Sequence, residues 1–93
     1  MNLSESVALV TGAGRGIGRA IATTLAGRGS TVVLTARMWK ELEAVRGQIE
    51  LRGGKAVSVQ ADITRDDQVE NLFNEVSSRF GRLDVLVNDA GFG

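Results

Sequence analysis

The chain contains no cysteine, histidine, tyrosine or proline, and only one tryptophan, in 93 residues. Without cysteine there is no disulfide, no thiolate metal site and no thiol nucleophile. Without histidine the commonest general base and metal ligand are gone. An excess of charge is lacking too, since eleven Lys and Arg balance eleven Asp and Glu. Nucleic-acid and anionic-membrane binders carry a basic excess, so neither partner is expected. No apolar run approaches the ~18 residues of a membrane span. The N-terminus lacks the basic start and long apolar stretch of a secretory signal, which makes the cytoplasm the expected compartment. What is present, 43% hydrophobic and 24% charged residues, suits a soluble globular chain forming one domain at most.

The apolar pattern changes period repeatedly. Val7-Ala8-Leu9-Val10 reads as a strand buried on both faces. Ile17, Ile21 and Leu25 recur at helical spacing, with Gly29 placed to end that helix. Thr31 to Ala36 reads as a second strand, and Met38, Leu42, Val45 and Ile49 as one face of a second helix stopped by Gly53-Gly54. Ala56 to Ala61 alternates as a third strand. Asp62-Ile63-Thr64 reads as a turn and helix N-cap region. Val69, Leu72, Phe73, Val76 and Phe80 form a third helical face ended by Gly81, and Leu83 to Asn88 reads as a fourth strand. Trp39, one position off the second helix's apolar face, is expected to be a partly buried packing residue.

Strands alternating with helices imply right-handed crossovers and a parallel sheet. The expected fold is therefore α/β: a Rossmann-like, doubly wound parallel sheet with strand order 3-2-1-4, residues 1–93 forming the first part of a larger dinucleotide-binding domain. The strongest local signal follows the first strand, in Thr11-Gly12-Ala13-Gly14-Arg15-Gly16-Ile17-Gly18. It is neither the G-x-G-x-x-G fingerprint nor a P-loop. Its physics is nonetheless that of a phosphate-binding turn, with glycines for close backbone approach and a helix N-terminus offering free N–H groups.

Three segments in register, Thr11 to Gly18 as T-G-x-x-x-G-x-G, Asp62-Ile63 after the third strand, and Asn88-Asp89-Ala90-Gly91 after the fourth, resemble the short-chain dehydrogenase/reductase family, in particular its 3-oxoacyl-carrier-protein reductase-like members. The resemblance spans nearly all of this chain but only the N-terminal part of the family's domain. It implies that Gly12, Gly16 and Gly18 shape the turn under a cofactor and that Ile17 brings its backbone N–H to the pyrophosphate. Asp62 and Ile63 would contact the adenine, Asn88 would brace the central strands, and Ala90 and Gly91 would line the ribose. Asp89 departs from the family's Asn. A carboxylate there accepts hydrogen bonds but donates none when ionised.

An NAD-preferring site carries Asp or Glu at the end of the second strand. Here that place holds Ala36, followed by Arg37, with Arg15 in the glycine loop. Two guanidinium groups suit a 2′-phosphate, so NADP is expected over NAD. The family's reaction, by resemblance, uses a Ser and a Y-x-x-x-K pair, and a chain without Tyr has no such pair. The expected function is thus the cofactor-binding part of an NADP-dependent oxidoreductase acting on a small carbonyl or alcohol. No catalytic or metal-binding residue is assigned within these 93 positions, and homo-oligomerisation is open only to the full-length protein. A non-catalytic nucleotide-binding module or a truncated product is the alternative.

Overall fold

A computed structural model describes residues 5–14 and 16–88. Four strands alternate with three helices. They are β1 (Val7–Thr11), α1 (Gly16–Gly27), β2 (Thr31–Ala36), α2 (Trp39–Leu51), β3 (Lys55–Gln60), α3 (Asp66–Phe80) and β4 (Val85–Asn88). The strands form one parallel sheet in the order β3-β2-β1-β4, as the pattern predicts. Val7 stands beside Thr31, Thr31 beside Lys55, and Thr11 beside both Thr35 and Asn88.

The central strands are apolar on both faces because both are covered. On one face Val10, Val32 and Leu34 pack with Ala22 and Ala26 of α1 and with Leu42, Val45 and Ile49 of α2. On the other, Leu9 and Val33 pack against Leu72 and Val76 of α3. α1 and α2 end alike. Ser30 N–H donates to Leu25 O at 3.2 Å and Gly54 N–H to Ile49 O at 2.9 Å, with left-handed Gly29 and Gly53 just before.

Three expectations need correction. Met38 lies ahead of α2 in extended backbone and is 60% exposed, because helical periodicity does not extend to a residue outside the helix. Trp39, the first residue of α2, is 46% exposed, partly buried as expected. Phe73 stands about 100° around α3 from Leu72, at the rim of the buried stripe, and is exposed. The N-cap of α3 is Arg65, without a side-chain cap bond, so Asp62–Thr64 is a turn ahead of the helix rather than its cap.

β4 begins at Val85, two residues later than its apolar pattern suggests, and Asp84 is the reason. Asp84 N–H donates to Val7 O at 2.9 Å, while its side chain folds back so that Oδ2 accepts from Val7 N–H at 2.8 Å. The Arg82 guanidinium grips both carboxylate oxygens at 2.7 and 2.8 Å. These bonds, Arg82 first and Val7 N–H second, hold the Asp84 carboxyl below the usual carboxylate range. A group whose folded pKa is depressed stabilises the fold above its unfolded value of about 3.9. That stabilisation is lost as pH falls through the folded value. Asp84→Asn keeps an acceptor for Val7 but loses the charge. It is expected to melt below wild type at pH 7, the two proteins converging as pH falls below about 4. A gap that stays constant down the acid limb of melting temperature against pH overturns this account.

Candidate functional site

The C-terminal ends of β1, β2, β3 and β4 share one rim of the sheet, and the strand order reverses between β1 and β4. Ligands of doubly wound sheets bind at such a rim, beside the switch point. At that point Thr11 Oγ1 lies 3.0 Å from Asn88 Oδ1 and 3.3 Å from Val87 O. The hydroxyl thereby ties the last residue of β1 to the last residue of β4.

The turn after β1 is pinned to the sheet by Ala13 N–H, which donates to Thr35 O at 3.1 Å. Gly12 and Gly16 both have left-handed φ, 66° and 63°. A side chain at Gly16 would be strained, and its missing Cβ would have no described residue within 4 Å, so among the described residues the backbone is bare there. A Cβ at Gly14 would come 2.8 Å from Glu41 Cβ, which makes Gly14 the place where the turn passes close to α2. α1 starts at Gly16, and the first four N–H groups of a helix lack intrahelical acceptors. Ile17 is 68% exposed and Gly18 is buried.

The second part of the rim lies where β2 and β3 leave the sheet side by side. Ala61 N–H donates to Ala36 O at 3.2 Å, which extends the pairing one step past Gln60. Arg37 and Asp62 follow directly. They line a shallow cleft of about 330 Å³ with Gln60, Ala61 and Gln68. Asp62 forms a turn in which Oδ1 accepts from Thr64 Oγ1 at 2.6 Å and from Thr64 N–H at 3.0 Å. These two bonds hold its carboxyl below the ordinary range, with smaller help from the Arg37 and Arg65 charges. Asp62 is therefore ionised at neutral pH, and its Oδ2 has no protein partner among the described residues. A larger cleft of about 550 Å³ opens between α1 and α2. Among the described residues no carboxylate lines it, and its Arg19 already donates to Gln48 at 2.6 Å, so size alone does not mark the site.

A family model for short chain dehydrogenases matches residues 6–93. The chain belongs to the short chain dehydrogenase family. Over 91 residues it is 45% identical to the hydroxynaphthalene reductase-like protein Arp2 of Metarhizium guizhouense, covering 97% of this chain and 34% of that protein. Over 90 residues it is 46% identical to a 3-oxoacyl-[acyl-carrier-protein] reductase of Synechocystis, covering 96% of this chain and 36% of that protein. A metagenomic short-chain oxidoreductase solved in complex with NADP superimposes with a TM-score of 0.95 at 48% identity, over 98% of this chain and 41% of that one. A hydroxysteroid dehydrogenase from Escherichia coli gives a TM-score of 0.93 at 36% identity, over 98% and 39%. The chain thus spans about a third of the length of its curated relatives.

The short chain dehydrogenase fold brings Gly12, Gly16, Ile17 and Gly18 together at one turn, and Arg37, Asp62 and Ile63 around the neighbouring strand exits. Asn88 stands apart from the second group, bonded to Thr11 at the switch point. Arg15, Ala90 and Gly91, with Asp89, lie outside the described residues. Two residues on the rim escaped sequence reading. Gln60 Nε2 donates to Arg37 O at 2.7 Å, and Gln68 Oε1 accepts from Asp62 N–H at 2.6 Å. Gln68 is the third residue of α3, where a Gln or Glu commonly reaches back to a free N–H. That position was the available signal. The bare glycine turn and the cleft beside Asp62 and Arg37 fit the pyrophosphate and adenosine parts of a dinucleotide. Among the described residues no group of three or more acidic, His or Cys side chains is placed to hold a metal ion. No described helix is long and apolar enough to cross a membrane.

Proposed function

We propose that this chain binds the adenosine and pyrophosphate end of NADP(H) for an oxidoreductase acting on a small carbonyl or alcohol. The observation that carries this reading is the pairing of strand exits. Arg37 follows a β2 that ends without a carboxylate, and ionised Asp62 stands beside it with one oxygen unengaged among the described residues. When bound, the cofactor supplies or accepts a hydride at its nicotinamide ring.

The chain's own residues hold and orient it. Free N–H groups at the start of α1, that of Ile17 among them, meet the pyrophosphate over the bare backbone of Gly16. Gly12 and Gly18 let the turn come close. Asp62 Oδ2 accepts from the adenine amino group, and the Ile63 backbone borders the ring. Arg37, joined by Arg15, binds the 2′-phosphate through charge-assisted hydrogen bonds. Asn88 and Thr11 keep β1 and β4 in register under the ribose that Ala90 and Gly91 border.

Trp39 offers the test. It is the only tryptophan, half exposed and two residues beyond Arg37. Titration with NADP⁺ is expected to change its emission saturably, and adenosine 2′,5′-bisphosphate should reverse the change by competition. Emission that drifts linearly with added nucleotide, without competition, overturns the reading. The lack of Tyr and His favours a second reading, a nucleotide-binding module with no chemistry of its own. It shares this binding result and differs in turnover by any longer product of the same gene.

A further inference from the structure

Two glutamines join the strand exits where the proposed adenosine cleft lies. β3 ends at Gln60, and Ala61 N–H takes the last ladder acceptor, Ala36 O. The next N–H, that of Asp62, has left the sheet. It is half-buried, and a donor there needs an acceptor. Gln68 supplies it from the first turn of α3 at 2.6 Å. The bond reaches back past the helix N-cap, Arg65, to a residue six positions upstream. On the other side of the cleft the Arg37 carbonyl lies beyond the β2 ladder, and Gln60 donates to it across the strand gap at 2.7 Å. Both glutamines line the cleft themselves.

We propose that Gln68 and Gln60 are positioning residues for the two recognition groups of this cleft, Gln68 setting Asp62 and Gln60 setting Arg37. The proposal rests on reading the cleft as the adenosine end of the cofactor site. It divides the work by chemistry. Asp62 faces the part of the nucleotide that every adenine dinucleotide shares, so loss of the Gln68 bond weakens all of them together. Arg37 serves the 2′-phosphate alone. Loss of the Gln60 bond therefore weakens chiefly nucleotides that carry that group, and shifts discrimination more than general affinity. A purely structural role for either glutamine does not produce this split.

The experiment is calorimetric titration of 5′-AMP and adenosine 2′,5′-bisphosphate into wild type, Gln68→Met, Gln68→Glu and Gln60→Met, with circular dichroism of each. A positioning hydrogen bond is expected to count for roughly three- to tenfold in affinity. Gln68→Met should weaken both nucleotides by a similar factor of that size. Gln68→Glu, which keeps the acceptor for Asp62 N–H, should restore most of the AMP affinity. Gln60→Met should weaken the bisphosphate by a clearly larger factor than AMP. If wild type binds both nucleotides and the two Met variants match it, or both variants weaken both nucleotides alike, the positioning roles are overturned while the cleft reading stands. Failure of Gln68→Glu to restore AMP binding also overturns the role of Gln68. Wild type that binds neither nucleotide overturns the cleft reading and the proposal together.

Discussion

Mixed with NADPH and a broad panel of ketones and aldehydes, the 93-residue chain is expected to turn over none of them. Reduction of a carbonyl places charge on the substrate oxygen, and a positioned acid that supplies the proton typically contributes 10²–10⁴-fold. The usual donors, His and Tyr, are absent from the chain. Of the remaining candidates, Asp62 stands at the rim, but Thr64 holds its carboxyl below the ordinary range, so at neutral pH it has no proton to give. Lys40 is exposed near the start of α2, and Lys55 is exposed at the first position of β3, the end of the sheet away from the rim. The measurement is NADPH absorbance with each substrate, repeated across successive purification steps. Oxidation that rises in proportion to the purified chain, at a constant specific rate, would mean that an acid has been overlooked.

The frame of the molecule was legible in its periodicities. Continuous apolar runs marked strands covered on both faces, and three helical stripes separated them, so the parallel direction followed from connection rules and the strand order from the doubly wound pattern. The errors fall where a side chain overrides a pattern. Leu83 continues the apolar run of β4, but Asp84 bonds Val7 through its carboxylate and delays the ladder. Met38 matches the α2 stripe in spacing yet precedes the helix.

The site divides in the same way. Residues that act through backbone shape, Gly12 and Gly16, announce themselves by type, since few other residues accept their dihedrals. Gln60 and Gln68 act on backbone groups brought near by the sheet and by α3, and no local pattern encodes that proximity. Thr11 and Asn88 meet across 77 positions of sequence. A family motif could suggest the brace, but the donor was visible only once β1 and β4 were paired.

Cofactor choice should invert with a single residue. A charge-assisted hydrogen bond is worth about 1.5–3 kcal/mol, and 1.4 kcal/mol is tenfold in affinity. One engaged Arg37 therefore implies a preference for NADP(H) over NAD(H) of roughly tenfold or more. Ala36 ends β2 and is half-buried against the α1 and α2 side of the core, with its carbonyl already bonded to Ala61. Ala36→Asp leaves that backbone bond in place and sets a carboxylate at the rim. The carboxylate would accept from the ribose hydroxyls of NAD(H) and repel a 2′-phosphate, so the preference should reverse from both directions. Some loss of melting temperature is expected from the half-buried charge, and circular dichroism separates that loss from the change in preference. Arg37→Ala should weaken NADP(H) and leave NAD(H) nearly unchanged. Removing the Arg37 charge takes away only a minor pull on Asp62, whose ionisation is held mainly by the two bonds from Thr64, so the adenine contact persists. Titration of both cofactors against wild type, Ala36→Asp and Arg37→Ala decides the matter. Equal wild-type affinities, or an Arg37→Ala variant that loses both cofactors alike, would show that Arg37 does not read the 2′-phosphate.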